Sequence, residues 1–188
     1  SDIAHVLATQ TIVIKPPKTL RIWCEGALPA GSVAKDLALF ILAQHGTQFG
    51  VGHAIEFAGP AVEALSVEGR LTLCNMSIEM GARGGLIAPD ETTFAYLQGK
   101  QYAPKGADWE KAVAYWKTLK TDDGAIFDKE LVFEAADIEP MITYGTNPGM
   151  GIKVSGTIPS TQGMEGSNKT SYLKSLDYMG FAPGEAVK

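Results

Sequence analysis

Leu20-Arg21-Ile22-Trp23-Cys24 is the first segment of the chain with the length and β-branched, aromatic content of a strand, and Gly26 closes it. Downstream, Ser32 has the chemistry of a helix N-cap, and Val33, Leu37, Ala38, Phe40 and Ile41 form one apolar face ahead of a stop at Gly46. Ala54-Ile55-Glu56-Phe57-Ala58 repeats the strand pattern, and Pro60 suits the first turn of another helix. The spacing predicts a longer helix over 70–82, with Leu71, Cys74 and Ile78 as its buried stripe. Gly84-Gly85-Leu86-Ile87-Ala88 is a short strand stopped by Pro89, and Asp90 caps a helix through Leu97 with Glu91 in its first turn. Strand and helix thus alternate over 18–98, which predicts a layered α/β domain with a mostly parallel sheet.

Before this region, Ile3, Val6, Leu7 and Ile12 fit a short helix over 2–13 that Pro16-Pro17 ends. After it, a helix beginning at Asp108 carries Ala112, Val113, Tyr115, Trp116 and Leu119 on its apolar side. The turn cluster Thr121-Asp122-Asp123-Gly124 predicts a domain boundary, giving one domain over 1–124, led by the segment 1–15, and the beginning of a second over 125–188. Residues 131–134 read as a strand, 140–158 are rich in Gly and Pro, and a last helix over 165–179 places Tyr172, Leu176 and Met179 together.

The 188 residues carry 16 basic and 21 acidic side chains, a net charge of −5. With pI near 5.2 there is no basic excess to displace counterions, which excludes a general nucleic-acid or anionic-membrane surface. No apolar run approaches the roughly 20 residues that span a bilayer, and the N-terminus lacks the basic-then-apolar pattern of a signal peptide. Cys24 and Cys74 each lie in an apolar run, with neither disulfide-framework nor CxxC spacing. They read as reduced, buried thiols of a cytoplasmic protein.

His5, His45 and His53 have no metal-ligand spacing, and His45 near a helix C-terminus is explained by the helix dipole. Gly46, Gly50 and Gly52 suggest a phosphate loop, but the Gly-Lys-Ser/Thr ending of a Walker loop is absent. The loop also follows a helix and precedes a strand, the reverse of a dinucleotide fingerprint. Asn75 and Glu79 are four apart and share a helix face. Spacing alone leaves two readings of this pair: a solvated helix edge, or an amide and a carboxylate projecting into a cleft for proton transfer or water binding.

The segment from Glu68 to Ala82, with Cys74-Asn75-Met76-Ser77-Ile78-Glu79 at its centre, resembles a signature of the aconitase superfamily. The likeness extends to Ala88-Pro89-Asp90-Glu91-Thr92-Thr93-Phe94, to His5-Val6-Leu7-Ala8-Thr9-Gln10-Thr11 and to the stretch from Ala112 to Leu119. Tyr144-Gly145-Thr146-Asn147-Pro148-Gly149 and Tyr178-Met179-Gly180 belong to it too, so it spans essentially the whole chain. Within the superfamily it is most similar to the large subunits of the bacterial 3-isopropylmalate dehydratases. The resemblance implies a three-layer α/β/α domain and a hydro-lyase of leucine biosynthesis. Such an enzyme interconverts 2- and 3-isopropylmalate, a dicarboxylate, through a dehydrated intermediate. It also implies a [4Fe-4S] cluster with one iron free of protein ligands, acting as a Lewis acid on the substrate hydroxyl and carboxylate. By the same resemblance Asn75 lies beside the cluster without ligating it, and Glu79 contacts the leaving or returning water.

The departures carry as much information. The family's cluster cysteines lie in a Gly-Ser-Cys-Thr-Asn-Ser motif and a later Cys-x-x-Cys pair, and neither occurs here. The family's Asp-Ser-His-Thr motif is missing as well, and its serine base belongs to a separate small subunit. Gly50-Val51-Gly52 stands where the family usually has Gly-Thr-Gly, a loop change of the tolerated kind. The expectation is therefore an internal portion of the large subunit, without cluster ligands and inactive alone. Its partners would be the remaining large-subunit domains and the small subunit. The competing class is a non-catalytic α/β module that binds a small organic acid or a partner.

Overall fold

In the computed structural model, which describes residues 2–187, four parallel strands form the sheet. They are β1 (Lys18–Glu25), β2 (His53–Ala58), β3 (Gly85–Leu86) and β4 (Lys129–Glu134), in the order β3-β2-β1-β4. Leu20 of β1 stands opposite Ile55 on one side and Lys129 on the other. Alternate side chains point to opposite faces. Leu20, Ile22 and Cys24 of β1, Ile55 and Phe57 of β2 and Phe133 of β4 therefore share the buried face.

Helices α2 (Ala34–His45) and α4 (Val67–Met76) pack on each other over that face, with the single turn α3 (Pro60–Glu63) between them in the chain. Leu37, Ile41, Leu42, Val62, Leu73 and Met80 complete the core. The opposite face is thinner. Arg21, Trp23, Glu56, Glu130 and Val132 line a cavity of about 580 Å³, bounded by residues 87–90 and 120–124. The helices α5 (Glu91–Leu97) and α6 (Ala107–Trp116) meet through stacked Phe94 and Trp116, and α6 buries none of its own residues. The α/β class and parallel sheet are as expected, with one closely packed helical layer rather than two equal ones.

Several local expectations need correction. The first helix is α1 (Asp2–Thr9), shorter than 2–13, and it buries nothing. Val33, not Ser32, is the N-cap of α2: the Asp36 carboxylate accepts the Val33 N–H at 2.8 Å, while the Ser32 hydroxyl donates to the Ile138 carbonyl. The third strand has two residues, and Gly85 lies so close to Ser77 and Cys74 that a Cβ there would collide with them.

The sheet continues past the turn cluster at 121–124. β4 pairs with β1 over six residues, so the sheet of the first unit extends to Glu134. The Asp128 carboxylate starts that pairing by accepting both the backbone N–H and the hydroxyl of Thr19, which hold its pKa below the ordinary value. Beyond it, β5 (Met141–Thr143) and β6 (Gly151–Lys153) form an antiparallel hairpin against α2. Helix α7 (Gly166–Met179) follows and buries Leu176.

Candidate active site

The segment carrying Asn75 and Glu79 is held at both ends. At its start, the Ser66 hydroxyl accepts the Gly69 N–H and Glu68 occupies the first turn of α4. The helix stops at Met76 rather than running to 82, and the chain winds more tightly. The Glu79 N–H bonds the Met76 carbonyl at 3.0 Å, and the Gly81 N–H bonds that of Ile78 at 2.9 Å. Gly81 turns the chain at φ +81, a left-handed conformation that glycine adopts without strain. The loop at 47–52 locks this turn, since the Gly50 N–H donates to the Met80 carbonyl at 2.9 Å. A side chain on Gly50 would collide with that same carbonyl. These glycines serve close backbone packing, and the Gly-rich loop is explained without a phosphate.

The buried side of this stretch is Arg70, Leu73, Met76, Ser77 and Met80. The stripe expected from the periodicity is not buried: Leu71 is 59% exposed and Ile78 60%, with Cys74 half-buried. Asn75 and Glu79 are exposed, and none of the side-chain hydrogen bonds or ion pairs among the described residues engages either. Although Glu79 lies past the helix end, both still open onto one cleft of about 830 Å³. Its other walls are Val33 with Lys35, Asp36 and Leu39 of α2, and residues 141–143 and 145–148.

The far wall is the tip of the hairpin. Asn147 accepts the Gly149 N–H through its side chain at 3.0 Å and the Met150 N–H through its carbonyl at 3.0 Å. Tyr144 closes the loop by donating its N–H to the Met150 carbonyl. This turn presents Thr143, Thr146 and Asn147 across from Thr72, Asn75 and Glu79. Two stretches singled out separately in the sequence therefore face one another. The cleft offers hydroxyls, amides, a free carboxylate and the Lys35 ammonium, a set suited to a small oxygen-rich anion and to proton transfer.

The histidines stand elsewhere. The His45 ring packs against Phe49 and Phe133, where burial and then the Lys129 charge lower its pKa. His53 bonds the Val51 carbonyl, and His5 lies near Thr11 on the exposed N-terminal segment. The sequence reading missed Asp36, Thr143, Thr146 and Asn147 as cleft residues. Asp36 was masked because Ser32 satisfied the capping pattern first.

The residues present do not fit an iron–sulfur cluster, which needs several thiolates brought together. Cys24 is buried in β1, where desolvation pushes its thiol up to about 12. Burial likewise raises that of Cys74. Among the described residues, no three His, Cys, Asp or Glu side chains gather as a metal site would require.

Comparison with known proteins decides the family. The model of the aconitase family (aconitate hydratase) matches residues 1–188. This chain belongs to the aconitase family. It is 58% identical over 187 residues to the 3-isopropylmalate dehydratase large subunit of Bacteroides fragilis. It is 56% identical over 187 residues to that of Cytophaga hutchinsonii and 52% over 188 residues to that of Roseiflexus castenholzii. Each match covers 100% of this chain and 40% of the relative. The aconitase-family chain thus spans about two-fifths of the length of the curated relatives it matches. The family generally binds a [4Fe-4S] cluster, and among the described residues no group of side chains gathers to hold one. No helix among the described residues is long and apolar enough to cross a membrane.

Proposed function

We propose that this chain is part of a 3-isopropylmalate dehydratase large subunit and supplies Asn75 and Glu79 to its active site. The whole enzyme, with its small subunit and the remaining large-subunit domains, removes water from an isopropylmalate and returns it at the neighbouring carbon. The supporting observation is the cleft: a carboxylate and an amide that no described residue's side chain engages face the Thr143–Asn147 turn, and both segments are those with the family likeness. In this reading the Glu79 carboxylate exchanges a proton with the departing or returning water, and the Asn75 amide orients the oxygen groups around it. Lys35 adds positive charge for a dicarboxylate. The cluster belongs to residues other than these, and the isolated chain is inactive.

The test has two arms. In the full-length enzyme with its small subunit, Glu79→Gln and Asn75→Ala should abolish most turnover of 3-isopropylmalate while thermal unfolding stays put. Wild-type turnover in both variants would reject the assignment. The isolated chain, incubated with iron and sulfide, should show no dehydration of isopropylmalate, and measurable turnover would reject the claim that the catalytic apparatus is incomplete here.

A further inference from the structure

We infer that Asp36 is a positioning residue for this cleft, fixing the 143–148 turn opposite Asn75 and Glu79, an inference that rests on the function proposed above. Asp36 is 8% exposed, in the first turn of α2. Its Oδ2 accepts the Val33 N–H at 2.8 Å and its Oδ1 accepts the Met141 N–H at 2.7 Å. One carboxylate thereby ties two backbone segments that lie far apart in the chain. Met141 is the first residue of β5, and the cleft residues from Thr143 follow it directly.

The hairpin is braced internally without Asp36. Glu139 accepts from Lys153 at 2.9 Å and from the Ser155 hydroxyl at 2.6 Å, and the Val154 N–H reaches the Pro140 carbonyl. Those bonds shape the hairpin but do not place it. Among the described residues, Asp36 to Met141 is the side-chain hydrogen bond that joins α2 to β5 and β6. Gly151 adds close packing, since a Cβ there would stand 3.4 Å from the Leu39 carbonyl. Asp36 itself lines the cleft, yet both of its oxygens are committed to backbone N–H groups. It therefore acts through the turn rather than on a bound molecule. Its ionised form suits this task because a carboxylate accepts twice with no proton in the way.

The experiment uses the full-length enzyme with its small subunit, in variants Asp36→Ala, Asp36→Asn and Ser32→Ala. Ser32 is the control, because its hydroxyl anchors the nearby Ile138 carbonyl without touching the hairpin. Amide hydrogen exchange over 141–147 should accelerate roughly 10- to 100-fold in Asp36→Ala, the loss expected for a charged hydrogen bond. The strands at 18–25 and 53–58 should be unchanged. Turnover number for 3-isopropylmalate should fall about 100-fold, as displacing a positioning element by an ångström does. Asp36→Asn, which retains one acceptor oxygen, should fall less in both measurements, and Ser32→Ala should keep its turnover number. Exchange over 141–147 no faster in the Asp36 variants than in Ser32→Ala would overturn the inference. So would an Asp36→Asn enzyme with an undiminished turnover number, a readout that holds even if Asp36→Ala does not fold. Exchange reports on the turn whether or not Glu79 is catalytic, so a failure of the function reading is seen separately, as full turnover in Glu79→Gln.

Discussion

Arg70 and Glu79 sit at opposite ends of one winding stretch, and the chain treats their charges in opposite ways. Arg70 is 5% exposed and every direction of its guanidinium is used. It bonds both Asp90 oxygens at 2.6 and 2.7 Å, the Glu63 carbonyl at 2.6 Å, the Leu65 carbonyl at 3.2 Å and the Thr93 hydroxyl. Glu79 is exposed, on a turn locked by Gly50 and Gly81, and it has no such partner among the described residues. A buried charge persists only when its desolvation is offset by geometry of this quality, so Arg70 fixes where α4 sits. A charge held outward on a rigid turn does little for the fold and stays free to exchange a proton. The first end is scaffold; under the function proposed above, the second is where the chemistry sits.

The largest expected effect breaks the comparison at the Glu79 end. In the full-length enzyme, Glu79→Gln should lower turnover by about 10²- to 10⁴-fold, the usual reach of a positioned proton-transfer group. Its unfolding free energy should move by no more than about 0.5 kcal/mol, as for an exposed side chain without partners. A variant that keeps its turnover but loses stability would make Glu79 a second Arg70.

At the other end the effect belongs to stability. Asp90→Ala strands the Arg70 guanidinium and removes the cap of α5, where Asp90 accepts the Thr93 N–H at 3.1 Å. Chemical denaturation should show a loss of about 2–4 kcal/mol, somewhat below that for a wholly buried pair because the Asp90 side chain is 36% exposed. Burial pushes the Asp90 carboxyl up, but the Arg70 hydrogen bonds, the Thr93 N–H and the Arg70 charge outweigh it and hold it below its ordinary value. A carboxyl lowered by folding contributes stability above its unfolded pKa, about 3.9, and loses that contribution as pH falls through the folded value. Wild-type stability should thus fall more steeply below pH 4 than that of Asp90→Asn. Parallel acid limbs would show that the pair contributes nothing.

What the sequence disclosed about these two ends differs for a physical reason. Local chemistry was legible: Asp90 as a cap, Gly46 as a stop, and the segments 20–24 and 54–58 as strands all follow from neighbours within a turn or a strand. The Asn75–Glu79 pair was visible as a spacing. The turn it faces was not, because hydrogen bonds across the fold, such as Asp36 to Met141, bring that turn there. The pairing of β4 with β1 across the turn cluster at 121–124 was hidden for the same reason. A turn cluster marks where the chain bends, whereas the β1–β4 register links residues more than a hundred positions apart. The buried stripe failed because apolar side chains lie on two faces of the stretch, and α2 with the 47–52 loop selects Leu73 and Met80 over Leu71 and Ile78.

A smaller effect tests the lock between the two ends. A Cβ on Gly81 would meet Val51 Cγ2 at 2.9 Å and the Thr47 carbonyl at 3.0 Å, at a φ of +81. Gly81→Ala should cost about 1–3 kcal/mol by denaturation. It should also lower turnover in the full-length enzyme, because the strained turn carries Glu79. Stability lost without any change in turnover would separate the lock from the chemistry.

The smallest effect concerns the stripe that periodicity selected. Leu71→Ser removes an apolar side chain that α4 leaves largely in solvent, so little buried area is lost. In the isolated chain the expected change is within about 0.5 kcal/mol, whereas Leu73→Ala, two residues on and on the opposite side of the helix, empties a core site and should cost about 2–5 kcal/mol. The contrast measures which face of the stretch is the scaffold. Comparable losses at both positions would mean that α4 is rotated from the orientation described. Asn75 and Glu79 would then turn with it, away from the Thr143–Asn147 turn. The stability of a surface leucine therefore bears directly on where the proposed chemistry sits.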